Sequence, residues 1–340
     1  MAKNGRLHHM EHDMTAWETV CAQLTLRAVI WDVCQVKADR LEREMENFPV
    51  QLLKMDGCGR AGEEPWTAYE KIIRRLQNLT VLQEQALLVT EDEGLAEYVY
   101  SLRHKQKAES ARHQKESGKE RRKAAAGGMA VVFYEREGSR RDVPADMTVL
   151  GFEEIGVQFL DRIHKRANGL PWNILYTERT LVREIALSDL DELYALYEEK
   201  GITDYTEPLY EREKEEAYIK EYIRCMYYYY GYGMWIIRDR ITGALIGRAG
   251  IDHHDEDGVV LMELGYIIST KYQKKGYAEE VCRAVIEYAR QELEAEQLHC
   301  FIHCRNQASI HVAEKLGFTL QHGNGGQKDM LHYRLILNAE

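Results

Sequence analysis

The sequence contains no apolar run that approaches the roughly 18 residues needed to span a bilayer. Its first residues, MAKNGRLHHMEHDMTAWE, lack the apolar core of a signal peptide. The seven cysteines follow no regular spacing, which indicates reduced thiols rather than a disulfide framework. Together these absences predict a cytoplasmic protein with no membrane partner.

The composition is that of an ordinary soluble protein. Hydrophobic residues make up 45% of the chain and charged residues 30%, and the net charge of -11 argues against general nucleic-acid binding. At 340 residues the chain is about twice the usual domain size, so two domains are expected.

The first half alternates between strand-like and helix-like segments. The strand-like segments are short and apolar, as in AVIWDV and ALLVT. They span residues 27–33, 85–92 and 128–135, and helical patterns occur at 12–26, 38–48, 65–79, from Leu95 and at 152–166. This alternation predicts a parallel α/β layer for a first domain, residues 1–170.

A basic stretch interrupts this layer at residues 103–127. It carries nine Lys or Arg against three Glu and almost no large apolar side chain, so it cannot bury enough surface to repay ordering. We expect a solvated, mobile insertion that is partly helical. The alternative is a contact with RNA or the ribosome, the one place where a nucleic-acid partner is considered.

The second half has a different order of elements, which starts after Gly169 and Pro171. Strands are predicted at 180–185, 233–239, 244–252, 259–269, 298–304, 318–322 and 329–337, with helices at 188–199, 211–230, 277–294 and 307–316. Adjacent strands predict antiparallel hairpins, and the strand–helix–strand unit over 259–304 predicts a right-handed parallel crossover. A mixed sheet flanked by helices, residues 179–340, is therefore expected.

The junction QKKGYA, residues 273–278, joins a strand to a helix. The first N–H groups of a helix lack internal partners and carry the positive end of the dipole, so a phosphate fits there. Gly276 lets a ligand approach the backbone, and Lys274 and Lys275 add positive charge. The alternative is an exposed, lysine-rich turn.

Two motifs in this half resemble the GCN5-related N-acetyltransferase (GNAT) superfamily. Gln273, Gly276 and Ala278 match its acetyl-CoA signature, Gln/Arg-x-x-Gly-x-Gly/Ala. NQASIHVAEKLGF, residues 306–318, is similar to the family's Asn-started helix, and the resemblance covers about 179–338. It implies acetyl-CoA as co-substrate, held between two central strands that splay apart.

The resemblance also implies which residues bind this co-substrate. The pantetheine arm would pair with backbone groups of Ile267 and Ile268, as an added strand does. The pyrophosphate would lie on the amides of residues 274–278, which include Tyr277 and Ala278. Asn306 would face the pantetheine, although an Asn here is equally explained as a helix cap.

The chemistry implied is direct acetyl transfer to an amine. Glu263 lies close to where many family members place a catalytic carboxylate, and Asp252 is a second candidate; the alternative for Glu263 is a solvent-facing acid. A backbone N–H near Ile268 would polarise the thioester oxygen. Ala313 stands where many members carry a Tyr, as in the subgroup that acetylates ribosomal-protein N-termini. That subgroup also includes enzymes for small amines, so the acceptor is a protein or peptide N-terminus or a small amine.

Two further clusters have a structural alternative. Tyr229, Tyr230 and Tyr232 in CMYYYYGYGMW border the implied acceptor site, but four consecutive tyrosines cannot share one helix face, so core or surface roles are the alternative. In HCFIHC, strand alternation puts His299 and His303 on one face and both cysteines on the other. No metal site is therefore predicted.

The first domain has a fainter resemblance to haloacid-dehalogenase-like (HAD-like) hydrolases. AVIWDVCQV is similar to their first strand motif, with Asp32 present but Cys34 in place of the second Asp. This implies a degenerate domain used for docking or sensing; an unrelated Rossmann-like layer is the alternative. The overall fold class predicted is α/β. The competing functions are a non-catalytic CoA-binding protein and residual phosphohydrolase activity in the first domain.

Overall fold

The structure is a computed structural model that describes residues 24–34, 39–55, 64–117, 128–139, 142–153, 155–256, 258–321 and 329–337. The chain divides between Leu170 and Pro171 into two compact units, which are treated separately below. No helix in these ranges combines the length and the apolar character that a membrane crossing requires.

The N-terminal unit is built on a parallel five-stranded sheet with the order β2-β1-β3-β4-β5. Its strands are β1 (Ala28–Asp32), β2 (Gln51–Lys54), β3 (Ala86–Thr90), β4 (Ala130–Tyr134) and β5 (Met147–Val149). Its helices are α1 (Asp39–Met45), α2 (Pro65–Asn78), α3 (Glu93–Ser117) and α4 (Val157–Ala167), with a 3₁₀ turn at Gln83–Gln85. The predicted parallel layer is confirmed.

The central strands of this sheet are apolar along their whole length because both faces are covered. Val29 and Trp31 belong to one buried cluster, whereas Ala28 and Ile30 belong to another. Successive side chains of a strand point to opposite faces, so the two clusters are the cores on the two sides of the sheet.

Three expectations for this unit need correction. The short strands β2 and β5 were not predicted, and β2 has only four residues, which is too short for a clear pattern. The helix predicted at 152–166 begins only at Val157. Most of the helix predicted at 12–26 lies outside the described residues, and residues 24–27 are not helical.

The basic stretch 103–127 is not simply a solvated insertion. Helix α3 continues to Ser117, and Arg103 is only 3% exposed because its guanidinium pairs with Asp146. The Lys107 ammonium donates to the Ala167 carbonyl at 2.6 Å, and burial, together with Arg103, lowers its pKa. The first part of the stretch is thus built into the unit. Residues 118–127 lie outside the described ranges, and the RNA contact stays a prediction.

The C-terminal ends of β1 and β3 meet at Asp32 and Thr90. The Thr90 hydroxyl donates to the Asp32 carboxylate at 2.7 Å. Cys34 is disulfide-bonded, which corrects the expectation of reduced thiols throughout. Cys225, Cys282, Cys300 and Cys304 are free. The HAD-like resemblance itself remains a prediction.

The C-terminal unit contains an eight-stranded sheet with the order β12-β13-β11-β10-β9-β8-β7-β6. Its strands are β6 (Asn173–Tyr176), β7 (Thr180–Arg183), β8 (Met234–Asp239), β9 (Leu245–Glu256), β10 (Val259–Ile268), β11 (Gln297–His303), β12 (Thr319–Leu320) and β13 (Met330–Ile336). Its α-helices are α5 (Leu190–Tyr197), α6 (Arg212–Tyr222), α7 (Tyr277–Gln291) and α8 (Gln307–Lys315), with 3₁₀ turns at Leu187–Asp189 and Ile202–Asp204.

Helices pack on both faces of this mixed sheet. Trp235 on β8 packs edge-on against Tyr288 of α7, whereas Arg248 on β9 donates to the Tyr197 hydroxyl of α5. Strands β10 and β11 are parallel, and their crossover contains α7, as the sequence predicted. The other described strand pairs are antiparallel, so the mixed sheet is confirmed.

The helix predicted at 211–230 is two structures. Helix α6 ends at Tyr222 and continues as a π-helix, Ile223–Tyr230, which stops at Gly231 with a φ of 84°. A π-helix has a wider turn than an α-helix and is uncommon outside functional sites. It places Tyr227 in the core, where its hydroxyl donates to the Met234 carbonyl at 2.5 Å. Strand β6 was not predicted.

Candidate active site

The two central parallel strands touch at one level and then separate. Among the described residues, β10 and β11 share the single register pair Glu263↔His299. At the next residue of β10, the Leu264 carbonyl accepts a hydrogen bond from the Cys300 thiol rather than from a backbone N–H. The gap therefore opens from Glu263 towards the C-terminal ends of both strands.

The backbone of β10 presents alternate residues to this gap. The Ser269 N–H donates to the Ile246 carbonyl on the β9 side, and a side chain on Gly247 would collide with the Ile267 carbonyl. Since hydrogen-bonding direction alternates along a strand, Ile267 faces β9, while Tyr266 and Ile268 face the gap. Of the two predicted backbone partners, only Ile268 is on the open side.

The loop after β10 is held by side chains. The Glu199 carboxylate accepts from the Ser269 hydroxyl at 2.8 Å and from the N–H and hydroxyl of Thr270 at 2.6 and 2.7 Å. Burial opposes ionisation of Glu199, but these hydrogen bonds outweigh it and lower its pKa. The Gln273 amide donates to the Ile268 carbonyl at 2.9 Å, so this side chain shapes the loop.

The loop then enters α7 through two left-handed residues. Lys274 has a φ of 58° and Gly276 a φ of 83°, which only glycine adopts without cost. The Glu280 N–H is bonded to the Gly276 carbonyl at 3.0 Å, so the N–H groups of Tyr277, Ala278 and Glu279 precede the first helical bond. Free N–H groups and the positive end of the helix dipole therefore coincide at this junction, an arrangement that favours an anion.

The two lysines of the junction, Lys274 and Lys275, differ in the contacts that their side chains make. The Lys275 ammonium folds back to the Lys271 carbonyl at 2.6 Å. For Lys274, no hydrogen bond or ion pair is found within the described ranges, so its ammonium is available to a ligand.

Arg179, which the sequence did not indicate, also holds this junction. Its guanidinium donates to Glu280 at 2.6 Å and to the Lys275 carbonyl at 3.0 Å, and it lies 4.0 Å from the centre of the Tyr277 ring. Arg179 and Glu280 are 101 positions apart, so no local pattern could reveal the contact.

Asn306 is the N-cap of α8. Its side-chain oxygen accepts from the Ser309 N–H at 3.2 Å, the geometry of an ordinary cap. A role towards pantetheine stays a proposal. Ala313 is buried in the same helix.

The two candidate carboxylates lie side by side. Asp252 on β9 and Glu263 on β10 are register partners in an antiparallel pair, so their side chains share a face of the sheet. His254, two residues after Asp252, places Nδ1 3.2 Å from Glu263 Oε2. The stretch DHHDED shows that Asp252 and His254 alternate along the strand, but it does not reveal the contact between His254 and Glu263.

Burial raises the pKa of both carboxyls. For Glu263 the desolvation outweighs the opposing His254 and the N–H of Phe301, and Asp252 raises its pKa further. For Asp252 the desolvation outweighs the His253 N–H and the positive charge of Arg248. A carboxyl whose pKa is raised towards neutrality is a better proton acceptor than an exposed one.

Tyrosines surround Asp252, but not all of those that the sequence indicated. Asp252 raises the pKa of Tyr218, Tyr222 and Tyr232, after the larger effect of burial on each. The Tyr232 hydroxyl lies 2.6 Å from His253 Nε2, and the Tyr230 ring packs edge-on against the same imidazole at 4.2 Å. Tyr229 is 80% exposed, and its ring lies edge-on to that of Tyr230 at 4.8 Å.

The two histidines of β11 contact different rings. His299 Nδ1 is 2.8 Å from His332 Nε2, and the His303 ring lies 5.3 Å from that of Tyr205. Within the part of the chain that the structure describes, no group of three or more His, Cys, Asp or Glu is arranged to hold a metal ion.

Known proteins are similar to parts of this chain. The profile of the acetyltransferase (GNAT) domain matches residues 179–319. YkkB of Bacillus subtilis (strain 168), called uncharacterized, is 36% identical over 88 residues, which are 26% of this chain and 51% of YkkB. YoaA of the same organism, called an uncharacterized N-acetyltransferase, is 27% identical over 147 residues, which are 43% of this chain and 82% of YoaA. The chain thus spans about half the length of YkkB.

Among solved structures, an acetyltransferase from Agrobacterium tumefaciens str. C58 shares 25% identity with a TM-score of 0.41, and the match covers 47% of this chain and 92% of that one. The motifs at Gly276 and Asn306 fall inside the profile match. Residues 179–319 of this chain form an acetyltransferase domain of the GNAT family.

Proposed function

We propose that the C-terminal unit transfers the acetyl group of acetyl-CoA directly to an amine. One observation carries the proposal: the gap between β10 and β11 begins beside Glu263 and runs towards the anion site at the head of α7. A thioester at one end and a diphosphate at the other match this arrangement of a carboxylate and free helix N–H groups.

The residues along the gap fit such a ligand. Backbone groups of Tyr266 and Ile268 would pair with the amides of the pantetheine arm, as an added strand does. The N–H groups at the head of α7 and the Lys274 ammonium would hold the pyrophosphate. Arg179 and Glu199 position that loop and would not need to touch the ligand.

Glu263 is placed to take the proton. Only a neutral amine attacks a thioester, so an ammonium acceptor must first give a proton to Glu263, directly or through a water. The amine nitrogen then bonds to the acyl carbon while the carbon–sulfur bond breaks, and the electron pair leaves with the sulfur. The second proton that the nitrogen must lose passes to the departing thiolate, so the products are the amide and the free thiol of CoA. A backbone N–H of β10 that faces the gap would polarise the acyl oxygen. A thiol has a pKa of about 8.5, so the thiolate leaves without a strong acid, and Ala313 supplies none.

The acceptor would enter from the side of α6 and the π-helix. Tyr230 and Tyr232 contact His253 there, and Asp252 is close enough to raise the pKa of Tyr232, after burial and Tyr230. Their rings suit either a small amine or a peptide N-terminus. Tyr229, exposed at the rim, would contact only the outer part of a larger acceptor.

For the N-terminal unit we propose a docking or sensing role. The Asp32 carboxylate, which a phosphatase of the HAD-like type would need for chemistry, accepts a hydrogen bond from the buried Thr90 hydroxyl, and Cys34 stands where a second acid is required. Measuring phosphate release from p-nitrophenyl phosphate with magnesium tests this proposal, since turnover lost in an Asp32→Asn variant would contradict it.

The deciding experiment has two stages. Calorimetric titration with acetyl-CoA, and with CoA for comparison, is expected to show saturable binding at micromolar levels. Thiol release from acetyl-CoA is then followed with spermidine, simple alkylamines and peptides that begin with Ala, Ser or Met. Amine-dependent release that falls in a Glu263→Gln variant supports the enzyme, whereas binding without release from any acceptor leaves a CoA-binding module.

A further inference from the structure

We propose that His254 is a positioning residue that orients the Glu263 carboxylate and holds it in the form that accepts a proton. This inference rests on the proposed function of Glu263 as the base. It concerns a residue that the GNAT signature does not include, because His254 lies on β9, outside both motifs.

The contact itself is direct. His254 Nδ1 lies 3.2 Å from Glu263 Oε2, although the two residues are not register partners: His254 is opposite Leu261, and Glu263 is opposite Asp252. The imidazole therefore reaches diagonally across the pair of strands. A carboxylate only accepts hydrogen bonds, so the Nδ1 atom carries the hydrogen of this contact.

A stack of rings fixes the imidazole in this orientation. The His254 ring lies 3.7 Å from the Phe301 ring with an angle of 14° between their planes. Phe301 in turn stacks with His332 of β13 at 4.6 Å and 17°. Partial rotation of His254 about its Cβ–Cγ bond would break this stacking, so the stack fixes the plane of the ring. Of the two ring orientations that share this plane, the one observed places Nδ1 at Glu263 Oε2.

Other groups around Glu263 favour or oppose ionisation of its carboxyl. From β9, Asp252 opposes its ionisation; from β11, the Phe301 N–H favours it, and His299 is its register partner. Cys300, on the other face of β11, is a buried thiol whose own pKa is raised by burial and by Glu263. His254 is thus the titratable side chain that favours the ionised form of Glu263.

Two variants separate the roles of the donor and of the ring. His254→Phe keeps an aromatic ring on Phe301 but has no N–H, whereas His254→Asn keeps an N–H close to the position of Nδ1 but has no ring. His311→Phe serves as the matched control, because His311 is exposed on α8. Each is made in the full chain.

The readout is the titration of the Glu263 carboxyl. Its ¹³C resonance is assigned by comparison with Glu263→Gln and followed against pH, and the acid limb of kcat/KM is measured with acetyl-CoA and the best acceptor of the amine panel. In His254→Phe we expect both midpoints to rise by roughly half to one pH unit, the effect of one lost charge-assisted hydrogen bond. In His254→Asn and in His311→Phe they stay near the wild-type values.

The outcomes separate this inference from the function on which it rests. Unchanged midpoints in His254→Phe, or equal shifts in His254→Asn and His254→Phe, overturn the positioning role. A shifted resonance with an unshifted acid limb overturns it too, because Glu263 would then not be the group that controls the rate. Absence of any turnover by the wild-type protein overturns the proposed function instead, even if the ¹³C titration moves as expected.

Discussion

Asp252 and Glu263 lie directly opposite each other on β9 and β10, and their side chains share one face of the sheet. Burial raises the pKa of each, and Asp252 raises that of Glu263 further. Two neighbouring acids that differ in their partners can take different roles. Glu263 contacts His254 at the base of the gap, whereas Asp252 lies among Tyr218, Tyr222 and Tyr232.

Replacement of Glu263 by Gln is expected to lower kcat by about 100- to 10,000-fold, the usual contribution of a general base. The amide keeps the size of the side chain but cannot accept the proton. Affinity for acetyl-CoA, measured by calorimetry, should stay within about twofold, because the anion site is at the other end of the gap. A kcat close to wild type would show that another group takes the proton.

Replacement of Asp252 by Asn is expected to move the acid limb of kcat/KM to lower pH. The negative charge of Asp252 disfavours ionisation of Glu263, so its removal lowers the pKa of Glu263. This direction is opposite to that expected for His254→Phe. A pH–rate profile of each variant measures the position of the acid limb. A limb that moves to higher pH in Asp252→Asn would contradict the effect of Asp252 on Glu263.

The Glu263→Gln variant is also expected to be more stable than the wild type at neutral pH. The folded-state pKa of Glu263 is raised above the ordinary value of 4.5, so the native state binds more protons than the unfolded state. Stability therefore falls as pH rises from about 4.5 through the folded-state pKa. Gln removes this cost. Thermal unfolding should show a Tm gain of a few degrees at pH 7 that disappears below about pH 4.5.

Gly276→Glu is expected to abolish acetyl-CoA binding, by about 100-fold or more, because it brings a negative charge and a strained backbone to the anion site. Gly243→Glu is the matched control: Gly243 has a φ of 71° in the exposed turn between β8 and β9. Both variants should lose about 1 kcal/mol from the positive φ. If calorimetry shows equal affinities in the two, the anion site lies elsewhere.

In the N-terminal unit, Arg103→Ala is expected to destabilise the fold by about 3–5 kcal/mol, since it leaves the buried Asp146 carboxylate without its partner. Lys105→Ala, an exposed change in the same helix, should stay within about 0.5 kcal/mol. Urea unfolding of the full chain, followed by circular dichroism, compares the two. Equal stability of both variants would restore the picture of a solvated basic segment.

The element order of both units was accessible from the sequence because long, strongly patterned segments dominate it. Helix α7 and strands β1, β3 and β10 appear within a few residues of their predicted limits. The misses have local causes. Strands β2, β5 and β6 have four residues or fewer, and the π-helix at Ile223–Tyr230 has the composition of an α-helix. The high charge of residues 103–127 favoured the prediction of a solvated segment, so the burial of Arg103 was not predicted. Its partner Asp146 is 43 residues away.

The free N–H groups at the start of α7 could be predicted from the sequence alone, because a strand-to-helix turn with a glycine leaves such groups without helical partners whatever surrounds it. The sequence also determined the mixed sheet, through the alternation of its apolar residues. Which backbone groups face the gap depends on tertiary structure, since the pairing with β9 directs Ile267 away from the gap. The same holds for Arg179 at the junction and His254 beside Glu263. Both contacts join residues on different elements, and strand register and packing, rather than local sequence, bring such residues together.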